Sequence, residues 1–171
     1  MNKLAFIGCS HIHAPGFVRR IGERPDFEVK SAWDPDQVRS QKLANELGCG
    51  IALDPDEVWS DPEIKSVVIC SETNRHLELV KAAAASGKNM FVEKPLGMGS
   101  ADAYEMAAAI NKAGNVFQTG YFMRGLPFHQ FLRDHIAKGS FGIVTRLRHT
   151  NFHAGSLRDI FTPEWLWMTD P

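Results

Sequence analysis

The residues best placed to do chemistry are Glu93 and Lys94, stopped by Pro95 at the end of the run Gly87-Lys88-Asn89-Met90-Phe91-Val92-Glu93-Lys94-Pro95. Gly87 is suited to the positive φ that closes a helix, and Met90 to Val92 form an apolar run of strand length. Such a strand delivers a carboxylate and an ammonium to one edge of a sheet. In an open α/β sheet, ligands bind at the edge beyond the strand C-termini. Taken alone the pair also fits a surface ion pair at a loop, which is worth little energetically. A second group sits near the N-terminus, where Gly8-Cys9-Ser10-His11-Ile12-His13 follows the apolar stretch Leu4 to Ile7. Two imidazoles two residues apart invite a metal reading, with His76, Cys9 and Cys70 as possible further ligands. Zinc needs more ligands at suitable geometry, and phosphate-edge or helix-packing histidines explain the pattern as well, so no metal is counted among the cofactors.

The elements that must position these groups alternate. Strands are expected at Lys3 to Gly8, Phe27 to Trp33, Ile51 to Leu53, Lys65 to Cys70, around Met90, and at Val116 to Gly120. Helices are expected at Pro15 to Ile21, after Asp34-Pro35, after Asp54-Pro55, from about Arg75 to Ser86, and over Ala101–Ala113. Asp34 reads as an N-cap with Pro35 in the first helical position, and Ser100 as a second cap. The helix after Asp34 carries Val38, Leu43, Ala44 and Leu47 as its apolar residues. Short, nearly all-apolar strands separated by helices imply parallel pairing with both sheet faces covered. The fold class is therefore α/β, a Rossmann-type doubly wound parallel sheet over about residues 1–122.

Beyond residue 122 the pattern changes. Leu126 to Lys138 reads as a helix, and Phe141 to Phe152 alternates apolar with polar residues as an antiparallel strand with one wet face does. Residues 123–171 are expected to begin an incomplete α+β domain for substrate and oligomerisation, with Gly155 to Pro171, including Trp165 and Trp167, as a connection to more protein. A strand edge left open there should promote association through residues 123–171.

A dinucleotide fingerprint needs a strand, a glycine turn into a helix, and an acid at the end of the second strand. Asp34 stands 21 residues beyond His13, close to the spacing at which an acid takes a ribose 2′-hydroxyl. A carboxylate there favours NAD over NADP, and no arginine follows directly. In the turn, Gly8 keeps the tight bend. Ser10 replaces the glycine that lets the backbone approach a pyrophosphate, and His13 replaces the one that packs helix on strand. The Ser10 hydroxyl and the His11 ring are both able to bond a phosphate.

With Gly8, Asp34, Ser71 to His76 and Glu93-Lys94-Pro95 in this order, the chain resembles the glucose-fructose oxidoreductase / inositol dehydrogenase (Gfo/Idh/MocA) family. The strand-four motif T-P-N-x-x-H stands as Ser71-Glu72-Thr73-Asn74-Arg75-His76, and G-K-x-x-x-x-E-K-P is present in full. The later R-x-x-P, helix and G-x-x-G pattern is matched by Arg124, Pro127 and Gly139-Ser140-Phe141-Gly142. The resemblance implies that Ser71, Thr73, Glu93 and Lys94 surround a nicotinamide and its ribose, with His76 starting the helix beneath. It implies that Lys94 is the catalytic group, that the Lys94-Pro95 bond is a candidate for cis geometry, and that Arg124 lies near the nicotinamide. It further implies an NAD-dependent oxidoreductase acting on a secondary hydroxyl of a sugar, cyclitol or related polyol. Family members are longer, and their second domain carries a further aspartate and histidine, expected beyond Trp165-x-Trp167…Asp170-Pro171. A non-catalytic nucleotide sensor on the same fold, or an NAD-assisted lyase or glycosidase, is the alternative.

Composition bounds the rest. With 44% hydrophobic and 23% charged residues the chain is globular, and its net charge of −1 provides no field for nucleic acid or an anionic membrane. The one basic candidate, Arg146 and Arg148 with Arg158, is sparse. Cys9, Cys49 and Cys70 form neither a disulfide framework nor a CxxC site, which fits a reducing compartment. The first apolar run is too short for a secretory core and no stretch reaches a membrane span. A soluble, cytoplasmic protein is expected.

Overall fold

Each apolar run anticipated from the sequence becomes a strand of one parallel sheet. The computed structural model describes residues 1–155, 157 and 162–169. The order along the chain is β1 (Asn2–Ile7), α1 (Ala14–Gly22), β2 (Phe27–Trp33), α2 (Gln37–Leu47), β3 (Gly50–Ile51), α3 (Asp56–Ser60), β4 (Ser66–Ile69), α4 (His76–Ala85), β5 (Asn89–Val92), α5 (Ser100–Ala113), β6 (Phe117–Thr119) and α6 (Pro127–Ala137). All pairings are parallel, in the order β3-β2-β1-β4-β5-β6. This is the doubly wound architecture that alternating strands and helices imply.

Strand residues alternate between two cores, as the pleat requires. Ala5, Ile7, Val67, Ile69, Met90 and Val92 pack with side chains of α3, α4 and α5, including Val58, Val80, Met106 and Ile110. Leu4, Phe6, Ala32, Val68 and Cys70 pack on the opposite face with Ala14, Val18 and Leu43 of α1 and α2. Because both faces are covered, the central strands carry almost no polar side chains, and their sequence reads as continuous apolar runs.

Several local expectations are corrected. The cap of α2 is Asp36, whose side chain accepts from the Val38 and Arg39 amides; Asp34 stands outside the helix. Val38 faces solvent at 77% exposure instead of joining the core. The N-cap of α5 is Gly99, not Ser100, and β3 is only two residues long. Residues 145–154 form no ladder with any described strand, although Ile143 and Leu147 alternate with polar neighbours. Alternation suits a residue to a strand but does not supply the hydrogen-bonding partner that makes one. Helix α6 ends at Gly139 with φ 70° as expected, and its Phe128 and Phe131 are exposed. Among the described residues no helix is long and apolar enough to cross a membrane. Arg158 and the Asp170-Pro171 end lie outside the described residues.

Candidate functional site

Strand order reverses between β1 and β4, which are neighbours although β2 and β3 continue on the other side. The loops leaving β1 and β4 therefore diverge, and a crevice opens at the carboxyl edge between them. Gly8 shows how closely the two loops meet. Its φ is 75°, and a Cβ there would lie 2.4 Å from Ser71 Cβ. Glycine is thus required for packing of the β1 turn onto the β4 loop, which the His11 N–H ties down by donating to Cys70 O at 2.9 Å.

Asp34, at the end of β2, is buried and gathers donors on one side of the crevice. Its Oδ2 accepts from the Cys9 amide at 2.6 Å, and its Oδ1 accepts from the Asp36 amide at 2.8 Å. Arg39 from the first turn of α2 reaches back to the same Oδ1, with Nη2 at 2.8 Å, and also places Nη2 2.8 Å from Glu72 Oε1 on the β4 loop. This guanidinium held between two carboxylates is a feature the sequence reading missed, because it looked only directly after Asp34. A one-turn offset into a helix starting at Asp36 would have been the signal. Ser10 is buried, and its Oγ has no partner among the described residues. That orphan hydroxyl at the turn is what a site lacking its anionic ligand would present.

On the other side of the crevice, the Lys94–Pro95 bond is cis and the Glu93 carboxylate is buried at 1% exposure. His13 Nδ1–H donates to Glu93 Oε1 at 3.0 Å, the Lys94 amide donates to Oε2 at 2.5 Å, and His11 Nε2 stands 3.9 Å from Oε2. Burial works against the charge on Glu93, but these donors outweigh it and hold the carboxyl below its usual range. Burial pushes the His11 imidazole down to about 4 against the pull of Glu93. Its Nδ1 accepts from the His13 amide at 3.2 Å, so the neutral ring carries its proton on Nε2, toward Glu93. Gly120 makes room for the carboxylate: a Cβ there would sit 2.7 Å from Glu93 Oε2.

His76 opens α4 with both ring nitrogens against carbonyls, Nδ1 3.1 Å from Pro95 O and from Leu96 O, and Nε2 3.3 Å from Ser71 O. It ties the β4 loop to the β5 loop and is no ligand to the His11–His13 pair. Burial pushes its imidazole down despite those carbonyls. Burial raises the thiols of Cys9 and Cys70, and among the described residues neither joins His11, His13 and Glu93 in one cluster. Thr73 lines a cleft of about 460 Å³ with Glu72, Asn74, Pro95 and Met98. Arg124, on the turn Phe122–Gly125, is exposed beside Gln118 and Tyr121 at the β6 edge. The short helical segment Pro163–Thr169 crosses the crevice: Trp165 lines a pocket with Cys9, His11 and Arg39, and Trp167 closes the Thr73 cleft with its ring 6.1 Å from His11. The sequence reading treated those tryptophans as a connection. The arrangement gathers a buried hydroxyl and a bonded aspartate beside the β1 turn and, at the end of β5, a buried carboxylate followed by Lys94.

Comparison with known proteins agrees with this fold. Residues 2–121 match the Gfo/Idh/MocA family, described as an oxidoreductase family with an NAD-binding Rossmann fold. The chain is 34% identical to the 1,5-anhydro-D-fructose reductase of Ensifer adhaerens over 87% of its own length and 45% of that protein's. It is 34% identical to the myo-inositol 2-dehydrogenase of Thermotoga maritima, covering 69% of this chain and 36% of that one. Among solved structures, a probable dehydrogenase from Thermotoga maritima superposes with a TM-score of 0.70 at 28% identity, covering 82% of this chain and 42% of the other. The chain thus spans less than half the length of these relatives.

Proposed function

Because this chain belongs to the Gfo/Idh/MocA oxidoreductase family with its NAD-binding Rossmann fold, we propose that it is the nucleotide-binding part of an NAD-dependent dehydrogenase acting on a secondary hydroxyl of a sugar, cyclitol or related polyol. The observation that carries the reading is the convergence of Asp34, Ser71 and Glu93-Lys94 on the carboxyl edge of one sheet, at the ends of β2, β4 and β5. A bound nicotinamide supplies the carbon that accepts hydride. Asp34 takes the adenosine ribose hydroxyls, while Gly8, Ser10 and His11 face the pyrophosphate. Ser71, Thr73 and Glu93 surround the nicotinamide ribose, with Arg124 at the rim, and His76 holds the two flanking loops together. Lys94 bonds the substrate hydroxyl and stabilises the negative charge that develops on that oxygen as hydride leaves the carbon.

The preference for NAD over NADP follows from charge. Arg39 is already shared between Asp34 and Glu72, so the three groups together carry one net negative charge and repel a 2′-phosphate. Residues 123–171 begin a second α+β domain that supplies substrate contacts and self-association, in a cytoplasmic protein. The test is calorimetric titration of the protein with NAD, NADH and NADP, followed by turnover with a panel of polyols. NAD(H) binding without NADP binding, with Lys94→Ala abolishing turnover but not binding, supports the assignment. Absence of NAD(H) binding refutes it. Normal binding with no turnover on any polyol points to the non-catalytic sensor.

A further inference from the structure

His11, His13 and Glu93 form the one group of three histidine, cysteine or acidic side chains among the described residues whose donor atoms all lie within 4.8 Å of one another. They come from two places far apart in sequence, the turn after β1 and the end of β5, and they meet only because β4 alone separates those strands. We propose that this cluster is a binding site for a borderline divalent transition-metal ion such as Zn²⁺, held by His11 Nε2, His13 Nδ1 and a Glu93 carboxylate oxygen.

The geometry fits. Donors around a tetrahedral zinc with bonds of about 2.0–2.1 Å stand roughly 3.3 Å apart. Here Glu93 Oε1 is 3.0 Å from His13 Nδ1 and Glu93 Oε2 is 3.9 Å from His11 Nε2. The two rings are nearly edge to face, centroids 4.8 Å apart, so both nitrogens can address one point. Small side-chain rotations close the set. Two imidazoles and one carboxylate is a donor combination that leaves a coordination position open and selects zinc or iron over magnesium or calcium. The open position has an approach, because His13 and Glu93 line a cleft of about 530 Å³. Two contacts must yield: the His13 ring proton moves from Nδ1 to Nε2, which ends its hydrogen bond to Glu93 Oε1 and leaves both groups to the ion. The His13 amide donates to His11 Nδ1, and an ion on Nε2 moves the ring proton to Nδ1 and ends that bond. One neutral hydrogen bond and one to a carboxylate are small against ligation of a transition metal.

The inference needs only these three side chains, two of which, His11 and Glu93, also face the proposed nucleotide, so ion and nucleotide compete for them. The purified protein is stripped with a chelator and titrated with ZnSO₄ by calorimetry, with CoCl₂ as a spectroscopic probe of four-coordination. One ion per chain is expected at micromolar Kd or tighter, weakened at least tenfold by His11→Ala, His13→Ala or Glu93→Gln and unchanged by His129→Ala, which disrupts the separate His129–His149 contact. His13 is half exposed, so its alanine variant keeps the fold if the Glu93 variant does not. No binding, or binding that His13→Ala leaves intact, overturns the site. A parallel NADH titration of the zinc-free protein separates the two readings: zinc binding without NADH binding there sinks only the dehydrogenase.

Discussion

Replacing Glu72 with glutamine removes one of the two carboxylates that hold Arg39 while keeping the side chain's shape. Arg39 Nη2 lies 2.8 Å from both Glu72 Oε1 and Asp34 Oδ1, and all three side chains are largely buried, at 25%, 19% and 0% exposure. The change takes the group from one net negative charge to neutral and leaves the guanidinium one anionic partner short. Even at the water-screened value, two unit charges in contact interact by about 1 kcal/mol. A 2′-phosphate carries about 1.5–2 charges, so losing the repulsion from Glu72 favours it by about 1.5 kcal/mol. That is roughly a tenfold lower Kd for NADP. NAD carries no phosphate at that position, and its Kd should move by less than about twofold. Calorimetric titration with both nucleotides reads the two numbers directly. Repeating it at high salt should shrink the NADP gain, because the crevice is open to screening. An NADP affinity that stays where it was, or a parallel gain for NAD, refutes the idea that Glu72 sets selectivity through Arg39.

Two glycine substitutions probe the walls of the site. Gly120→Ala puts a methyl group 2.7 Å from Glu93 Oε2 and 3.0 Å from its Cδ; the carboxylate escapes only by giving up its bonds from His13 and the Lys94 amide, so a loss of about 1–3 kcal/mol is expected in urea unfolding, and an unshifted midpoint contradicts the packing. Gly8→Ala meets backbone as well, with Ser71 Cα 2.5 Å from the new Cβ at a φ of 75°. It should cost at least about 3 kcal/mol, overpacking and left-handed strain combined, and yield little soluble protein. His76 makes the acid side of the stability curve testable. Its folded pKa lies below the ordinary value of 6.5 because it is buried. As pH falls below 6.5 the unfolded chain takes up the proton first, so stability present above that pH is lost as pH drops toward the folded value, with a slope of at most about 1.4 kcal/mol per pH unit. His76→Gln should flatten this decline; an identical slope in wild type and variant assigns the loss to other groups.

Much of the fold was legible because its signals are short-range. Runs such as Leu4 to Ile7 and Val67 to Cys70 are apolar throughout because both sheet faces are covered, and that pattern needs no knowledge of the neighbours. Gly114 and Gly139, both at positive φ, mark helix ends by local backbone sterics alone. The misplaced cap at Asp34 is instructive: Asp34 and Asp36 present the same local chemistry, and the choice fell to Asp36 because β1 brings the Cys9 amide to Asp34. The alternating stretch after Phe141 shows the converse, a strand pattern that forms no ladder for want of a partner.

The residue types at the site could be read from the sequence, but not who meets whom. Glu93 and Lys94 at a strand end, Asp34 at another, and histidines in the first turn follow from residue order and element type. The partnerships follow from strand order and from the depth of each loop. Glu93 finds His11 and His13 across 80 residues, and Arg39 finds Glu72 across 33. His76 spends its ring on the carbonyls of Ser71, Pro95 and Leu96. A sequence determines local preference because propensity, capping and turn sterics act within a few residues. Contacts between distant loops depend on which strands become neighbours, and only the packing of helices on both faces of the sheet decides that.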